Sequence, residues 1–186
     1  MDDTVCVKGR VACELSTCGE ELIATEIIFD GIFSDLEPPE IAAVLSAFVF
    51  QQNNSKEEGD PLESKELPEK LRQTCLKIKE IALKLEHLQK QFGIENVGDY
   101  CNDSLKFGLV HVVYEWACGV PFANICQLTT VPEGSIVRCM TRLDELCREV
   151  RNSSRVVGNP TLYRKMEAAS IAIKRDIVFA SSLYIT

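Results

Sequence analysis

The sequence predicts an all-α protein, a helical bundle of roughly seven helices with a short extended lead-in over residues 1–17. Three observations carry this prediction. Apolar residues recur at three- and four-residue steps along most of the chain. Strand-like alternation is confined to the first residues, with no hairpin signature and no internal repeat. The 186 residues, 46% of them hydrophobic, suit one packed domain, drawn here as residues 18–186.

The elements follow in order. In VCVKGRVACEL, Val5, Val7, Val11 and Cys13 sit at odd spacing around Gly9, which predicts an extended segment. Glu20 to Phe33 carries Leu22, Ile23, Ile27 and Phe29 at helical spacing, and Gly31 marks its end. The run Asp35-Leu-Glu-Pro-Pro-Glu is a helix start, since proline costs little in a first turn. The helix it opens puts Ile41, Val44, Leu45 and Phe48 on one face. Residues 51–68, QQNNSKEEGDPLESKELP, lack apolar periodicity and read as a flexible solvated loop. From Glu69 to about Phe92 runs the longest predicted helix, with a seam of Leu71, Cys75, Ile78, Ala82, Leu85 and Phe92. Leu105, Leu109, Val112, Val113 and Trp116 define a shorter helix that stops at Gly119 and Pro121.

The chemistry-bearing motifs are few. There is no phosphate loop, no GxGxxG, no HExxH and no GxSxG, so the chain carries no catalytic motif of its own. Two histidines and no CxxC pair leave zinc little to bind, and no metal site is expected. His111, inside an apolar helix, reads as a boundary residue rather than a base. The nine cysteines are an odd number at mostly apolar positions and read as reduced, mostly buried thiols. The longest apolar stretch, Ile41 to Phe50, is about half of what a bilayer crossing needs, and no membrane association is expected. The amino terminus opens on acids instead of a basic leader, which predicts an intracellular protein.

Charge is unevenly spread. Residues 1–130 carry 11 Lys and Arg against 22 Asp and Glu, whereas residues 131–186 carry 9 against 6. The basic third contains a helix–turn–helix rhythm: Phe122 to Leu128, a turn through Pro132, then a long helix from about Ser135. On that helix Ile136, Met140, Leu143, Cys147 and Val150 make an apolar face. Arg138, Arg142, Glu145 and Glu149 form one outward stripe, and Arg148, Arg151 and Arg155 a second beside it. One reading is a surface helix laced with ion pairs such as Arg142 with Glu145, Arg151 being ordinary surface. Another is that arginines touch the phosphates or bases of a single strand. Duplex binding by the helix–turn–helix is disfavoured by the acids among the arginines.

The runs GRVACEL (9–15), VVYEWACG (112–119), PEGSIVRCMTRLDELCREV (132–150) and KRDIVFASSLY (174–184) resemble the DSHCT domain. That domain is the C-terminal helical bundle of the superkiller and nuclear-exosome RNA helicases. VVYEWACGVPF and LDELCREV look closer to the cytoplasmic superkiller type, which implies a cytoplasmic location, with the nucleus as the alternative. The resemblance implies a channel-lining domain with a ratchet helix that holds single-stranded RNA during 3′-to-5′ translocation. ATP and Mg would be bound by RecA-like domains outside this chain, which together with a winged helix close the ring. No cofactor is expected in this chain itself. The Ski complex subunits and the RNA exosome are the partners the resemblance implies. Arg142 matches an RNA-contacting arginine of that family. Gln52 matches a second contact position that is often glutamate there. Arg138, one turn before Arg142, is added from periodicity alone. The apolar residues of RDIVFASSLY are expected to dock the last helix by packing. The sequence looks like a piece of a longer helicase; the alternative is a stand-alone helical protein-interaction or helix–turn–helix DNA-binding module.

Overall fold

A computed structural model describes residues 5–52, 60–94 and 99–175. Among them there are nine α-helices and no strand. Their order is α1 (Val7–Cys13), α2 (Glu21–Phe29), α3 (Pro38–Val49), α4 (Glu69–Gln91), α5 (Tyr100–Ser104), α6 (Val110–Ala117), α7 (Phe122–Ile125), α8 (Glu133–Val157) and α9 (Pro160–Ile173). The all-α prediction therefore holds.

The third helix is the axis of the molecule. Its start is fixed by Glu37 and Glu40, which cap each other reciprocally, the Glu37 amide donating to Glu40 Oε2 at 2.7 Å. Every residue from Ile41 to Val49 is buried, not one face alone. Alanines 42, 43 and 47 make this possible, because small side chains let α4, α6, α8 and α9 approach from several sides. A helix apolar all round belongs in the middle of a core.

The amino-terminal reading is corrected. Residues 7–13 are helical rather than extended. Val7, Val11 and Leu15 share a four-residue spacing, and Val11 and Leu15 are buried while Val5 and Val7 face out. With no strand among the described residues to pair with, the segment satisfies its amides by coiling, and Lys8 ties it to Glu26 of α2 at 2.7 Å. The second helix stops two residues before Gly31, whose φ of 67° only glycine adopts without strain.

The loop predicted over 51–68 is only partly a loop. Residues 53–59 lie outside the described residues. Beyond them Pro61–Glu63 form a 3-10 turn capped by Asp60, and Leu62 and Leu67 are buried. Two leucines five positions apart leave no helical period in the sequence, yet they anchor the segment.

The fourth helix runs as predicted, and Leu71, Cys75, Ile78 and Ala82 of its seam are buried. Beyond Ala82 the helix is covered less: Leu85 is half-buried against the core, and Phe92, expected at the seam, is 81% exposed. By contrast Leu105, Leu109, Val112, Val113 and Trp116 are all buried as expected. Gly119, at φ 109°, follows the end of α6.

Helix α9 has no counterpart in the sequence analysis. Gly158 at φ 75° ends α8, the Asn159 side chain accepts the Leu162 amide at 3.0 Å, and Pro160 opens α9. The two helices pack side by side around a buried acid. Asp144, 2% exposed at its side chain, is ion-paired with Arg148 and with Lys174 at 3.1 Å, and accepts from Ser170 Oγ at 2.5 Å. At the end of α9 the Arg175 guanidinium stacks 3.8 Å from the Trp116 ring and donates to the Trp116 carbonyl. The docking predicted for the apolar residues of RDIVFASSLY falls on residues 176–186, outside the described ones.

Candidate nucleic-acid interface

Gln52 and Arg142 come from the family resemblance and Arg138 from periodicity; Gln52 lies 86 or more positions from the arginines in sequence, and the fold brings all three together. The chain leaves α3 at Phe50 and passes directly over the first turns of α8. There Gln52 Nε2 donates to Ser135 Oγ at 2.8 Å. Ser135, Arg138, Cys139 and Arg142 then form one wall of a shallow groove of about 50 Å³, and Val49, Phe50, Gln51 and Gln52 form the other.

The α8 positions follow from helix geometry. Residues 135, 138 and 142 lie on one edge of a helix that buries Ile136, Cys139, Met140, Leu143, Leu146, Cys147 and Val150 against its neighbours. Cys139 lies on the buried side of the groove, where burial pushes its thiol up to about 12. It is a neutral, unreactive part of that wall. Arg138 is exposed and Arg142 half-buried.

The ion-pair reading of this stripe does not hold. Among the described residues neither Arg138 nor Arg142 forms an ion pair, and the Arg142–Glu145 pair is absent. Arg142 Nη2 donates instead to the Thr17 carbonyl, at a long 3.4 Å. Glu149 is turned away toward Ser16 and Thr17. A guanidinium left on a neutral carbonyl keeps most of its donors and its full charge available to an anion.

The second arginine stripe is structural. Arg148 binds Asp144, Arg151 reaches Glu167 at 3.8 Å, and Arg151 and Arg155 lie over the Tyr163 ring at 5.6 and 5.0 Å. Arg151 is thus part of the α8–α9 seam and not ordinary surface. The helix–turn–helix is present in outline as α7 and α8, but α8 is packed by α1, α3 and α9 along its length. That leaves a narrow outward edge, unlike a recognition helix seated in a major groove.

Sequence reasoning missed Ser135. Its signal was its place three residues before Arg138 in the first turn of α8. His111 is a boundary residue, 18% exposed at its side chain, with Glu115 at 3.6 Å and Glu66 at 3.9 Å. Among the described residues no group of three His, Cys, Asp or Glu is placed to hold a metal ion, and no helix is long and apolar enough to cross a membrane.

The groove offers two guanidiniums one turn apart, a carboxamide and a hydroxyl, beside the apolar Val49 and Phe50. That set can grip phosphate oxygens or base edges of an extended strand.

The DSHCT (NUC185) domain matches residues 2–180. The chain is 51% identical over 186 residues to the DExH-box ATP-dependent RNA helicase DExH11 of Arabidopsis thaliana, covering 100% of this chain and 13% of that protein. It is 45% identical to Superkiller complex protein 2 of Mus musculus, over 97% of this chain and 14% of that protein. It is 42% identical to Exosome RNA helicase MTR4 of Homo sapiens, over 98% of this chain and 17% of that protein. The chain therefore spans less than a fifth of the length of each of these relatives. It belongs to the DSHCT domain family, the all-α domain found in these superkiller-type and MTR4-type RNA helicases.

Proposed function

We propose that this chain lines the RNA channel of an ATP-dependent 3′-to-5′ RNA helicase acting in exosome-linked RNA decay. In this reading α8 is the ratchet helix, with Arg142, Gln52 and Arg138 as contacts to single-stranded RNA. The observation that carries it is the convergence of these three residues on one groove, where neither arginine has an acidic partner among the described residues. The chain's share is grip, not chemistry: ATP and Mg would sit between RecA-like domains, and a winged helix would complete the ring. Superkiller complex subunits and the exosome are the partners, and the cytoplasm is the location, on the likeness of VVYEWACGVPF and LDELCREV to the superkiller type.

The test is Arg142→Glu in the complete helicase, beside Arg164→Glu as a control. Arg164 is exposed on α9, whereas Arg151 is a packed residue and cannot serve. One lost strand contact is worth roughly 1–3 kcal/mol, so RNA affinity and unwinding fall about tenfold or more in Arg142→Glu. ATP binding and melting temperature stay unchanged. Equal RNA affinity and unwinding in both variants and the wild type would remove Arg142 from the channel.

A further inference from the structure

Glu149 lies two helical turns after Arg142 on α8 and is bound in a way its sequence position gives no hint of. The connection between α1 and α2 crosses α8 there, with Leu15 and Cys18 buried in the core on either side of Ser16 and Thr17. Glu149 Oε1 accepts from Ser16 Oγ at 2.6 Å, from the Thr17 amide at 3.0 Å and from Thr17 Oγ1 at 2.8 Å. Its Oε2 accepts from the same amide at 2.9 Å. Among the described residues it forms no ion pair, so three neutral donors compensate the carboxylate. Charge-assisted hydrogen bonds of this kind are short and directional, and they fix the Thr17 peptide in place. The carbonyl of that residue is the one that receives Arg142 Nη2.

We propose that Glu149 is a positioning residue for Arg142: by clamping the Ser16–Thr17 turn it holds the Thr17 carbonyl where it steers the Arg142 guanidinium over the Gln52–Ser135 groove. This rests on the reading of Arg142 as an RNA contact and adds how that contact is pre-set. Arg142 carries several rotatable bonds, and holding it before the strand arrives reduces the ordering cost of binding. The long 3.4 Å bond suits the task, because a phosphate oxygen displaces a neutral carbonyl easily whereas it would have to break an ion pair.

The bland alternative makes the opposite prediction. An acid near a nucleic-acid groove repels phosphate, so removing its charge would tighten RNA binding. Positioning requires that Glu149→Gln weaken it, because the amide replaces one acceptor oxygen with a donor facing donors.

The experiment uses the 186-residue chain and a fluorescein-labelled single-stranded oligouridylate, read by anisotropy. Glu149→Gln is expected to weaken binding about threefold or more, the worth of one ordinary hydrogen bond. Glu149→Gln combined with Arg142→Gln is expected to bind no worse than Arg142→Gln alone, since both act through one guanidinium. In parallel, the Arg142 Nε–H signal in ¹⁵N spectra, assigned by its loss in Arg142→Gln, is expected to lose its rigidity in Glu149→Gln. Thr17→Val removes one donor and keeps the turn's backbone; it gives the same directions in smaller measure should Glu149→Gln fail to fold. Tighter or unchanged binding in Glu149→Gln, additive effects in the double variant, or an Arg142 signal that keeps its rigidity would each overturn the proposal. An Arg142 signal that loosens in Glu149→Gln, with RNA binding indifferent to Arg142→Gln, would leave the steering contact standing and overturn the RNA reading beneath it.

Discussion

Cys18, Cys75, Cys139 and Cys147 are buried, and burial pushes each of their thiols up to about 12 from an ordinary 9.0. Up to pH 9 they are protonated folded or unfolded and have no effect on the balance. Above it the unfolded chain releases these protons while the folded chain keeps them, so stability falls as pH rises from 9 toward 12. Each group removes about 1.4 kcal/mol per pH unit in that window. Four together exhaust a typical stability of about 5–15 kcal/mol within a few units. We expect the melting temperature to drop steeply above pH 9 in reducing buffer, and Cys75→Ala to shallow the drop by about a quarter. A melting temperature that is flat from pH 9 to 11, or a Cys75→Ala curve parallel to wild type, would contradict it. The sequence made three of these legible, because Cys75, Cys139 and Cys147 lie in register with leucines and isoleucines; Cys118 and Cys126, read from the same kind of pattern, are exposed and half-buried instead. It hid Asp144, an acid in the same register, whose only trace was Arg148 four residues on. A buried charge is tolerated there because Ser170 and Lys174 arrive from α9, a helix the periodicity had not revealed.

Between elements, the α8–α9 corner concentrates the consequences of three residues. Gly158 supplies a left-handed backbone, with nothing within 4 Å of the Cβ an alanine would add. Gly158→Ala therefore isolates backbone strain and is expected to cost about 1 kcal/mol. Asn159→Ala removes the side-chain cap on the Leu162 amide and costs about the same. Each should lower the melting temperature by about 2–4 °C in a domain of this size. A lowering well beyond that in Gly158→Ala would show that the corner carries packing as well as strain. Helix α9 was not read from the sequence; Gly158, Asn159 and Pro160 stand as stop, cap and start only once the structure shows them. The amino-terminal helix was not readable either. Val5, Val7, Val11 and Cys13 fit alternation as well as they fit a helix, and only the absence of a partner strand decides between them. For α3 the period was right and the conclusion too narrow. An apolar stripe cannot be told from a wholly buried helix when the opposite face is alanine.

Over the whole molecule, charge sets how the groove can work. The chain carries a net charge of −8, so a strand held in the groove as proposed would depend on local contacts. The sequence revealed this imbalance and both arginines, but not that Gln52 would lie beside them, since that juxtaposition exists only once α3 delivers the chain across α8. In the groove two guanidiniums have no acidic partner among the described residues, and each phosphate neutralised on a single strand contributes about 0.7 to the slope of log affinity against log salt. The isolated chain should therefore bind single-stranded RNA weakly, with a slope of about 1.4 between roughly 50 and 200 mM salt. Arg138→Gln and Arg142→Gln should each lower that slope by about 0.7, and together abolish it. The acids of residues 1–130 reduce the affinity without steepening the slope, because repulsion releases no counterions from the strand. A slope above about 2 that survives the double substitution would mean that the strand lies along another surface. A slope that falls by one step with Arg142→Gln and is indifferent to Arg138→Gln would narrow the grip to the one guanidinium that Thr17 holds in place.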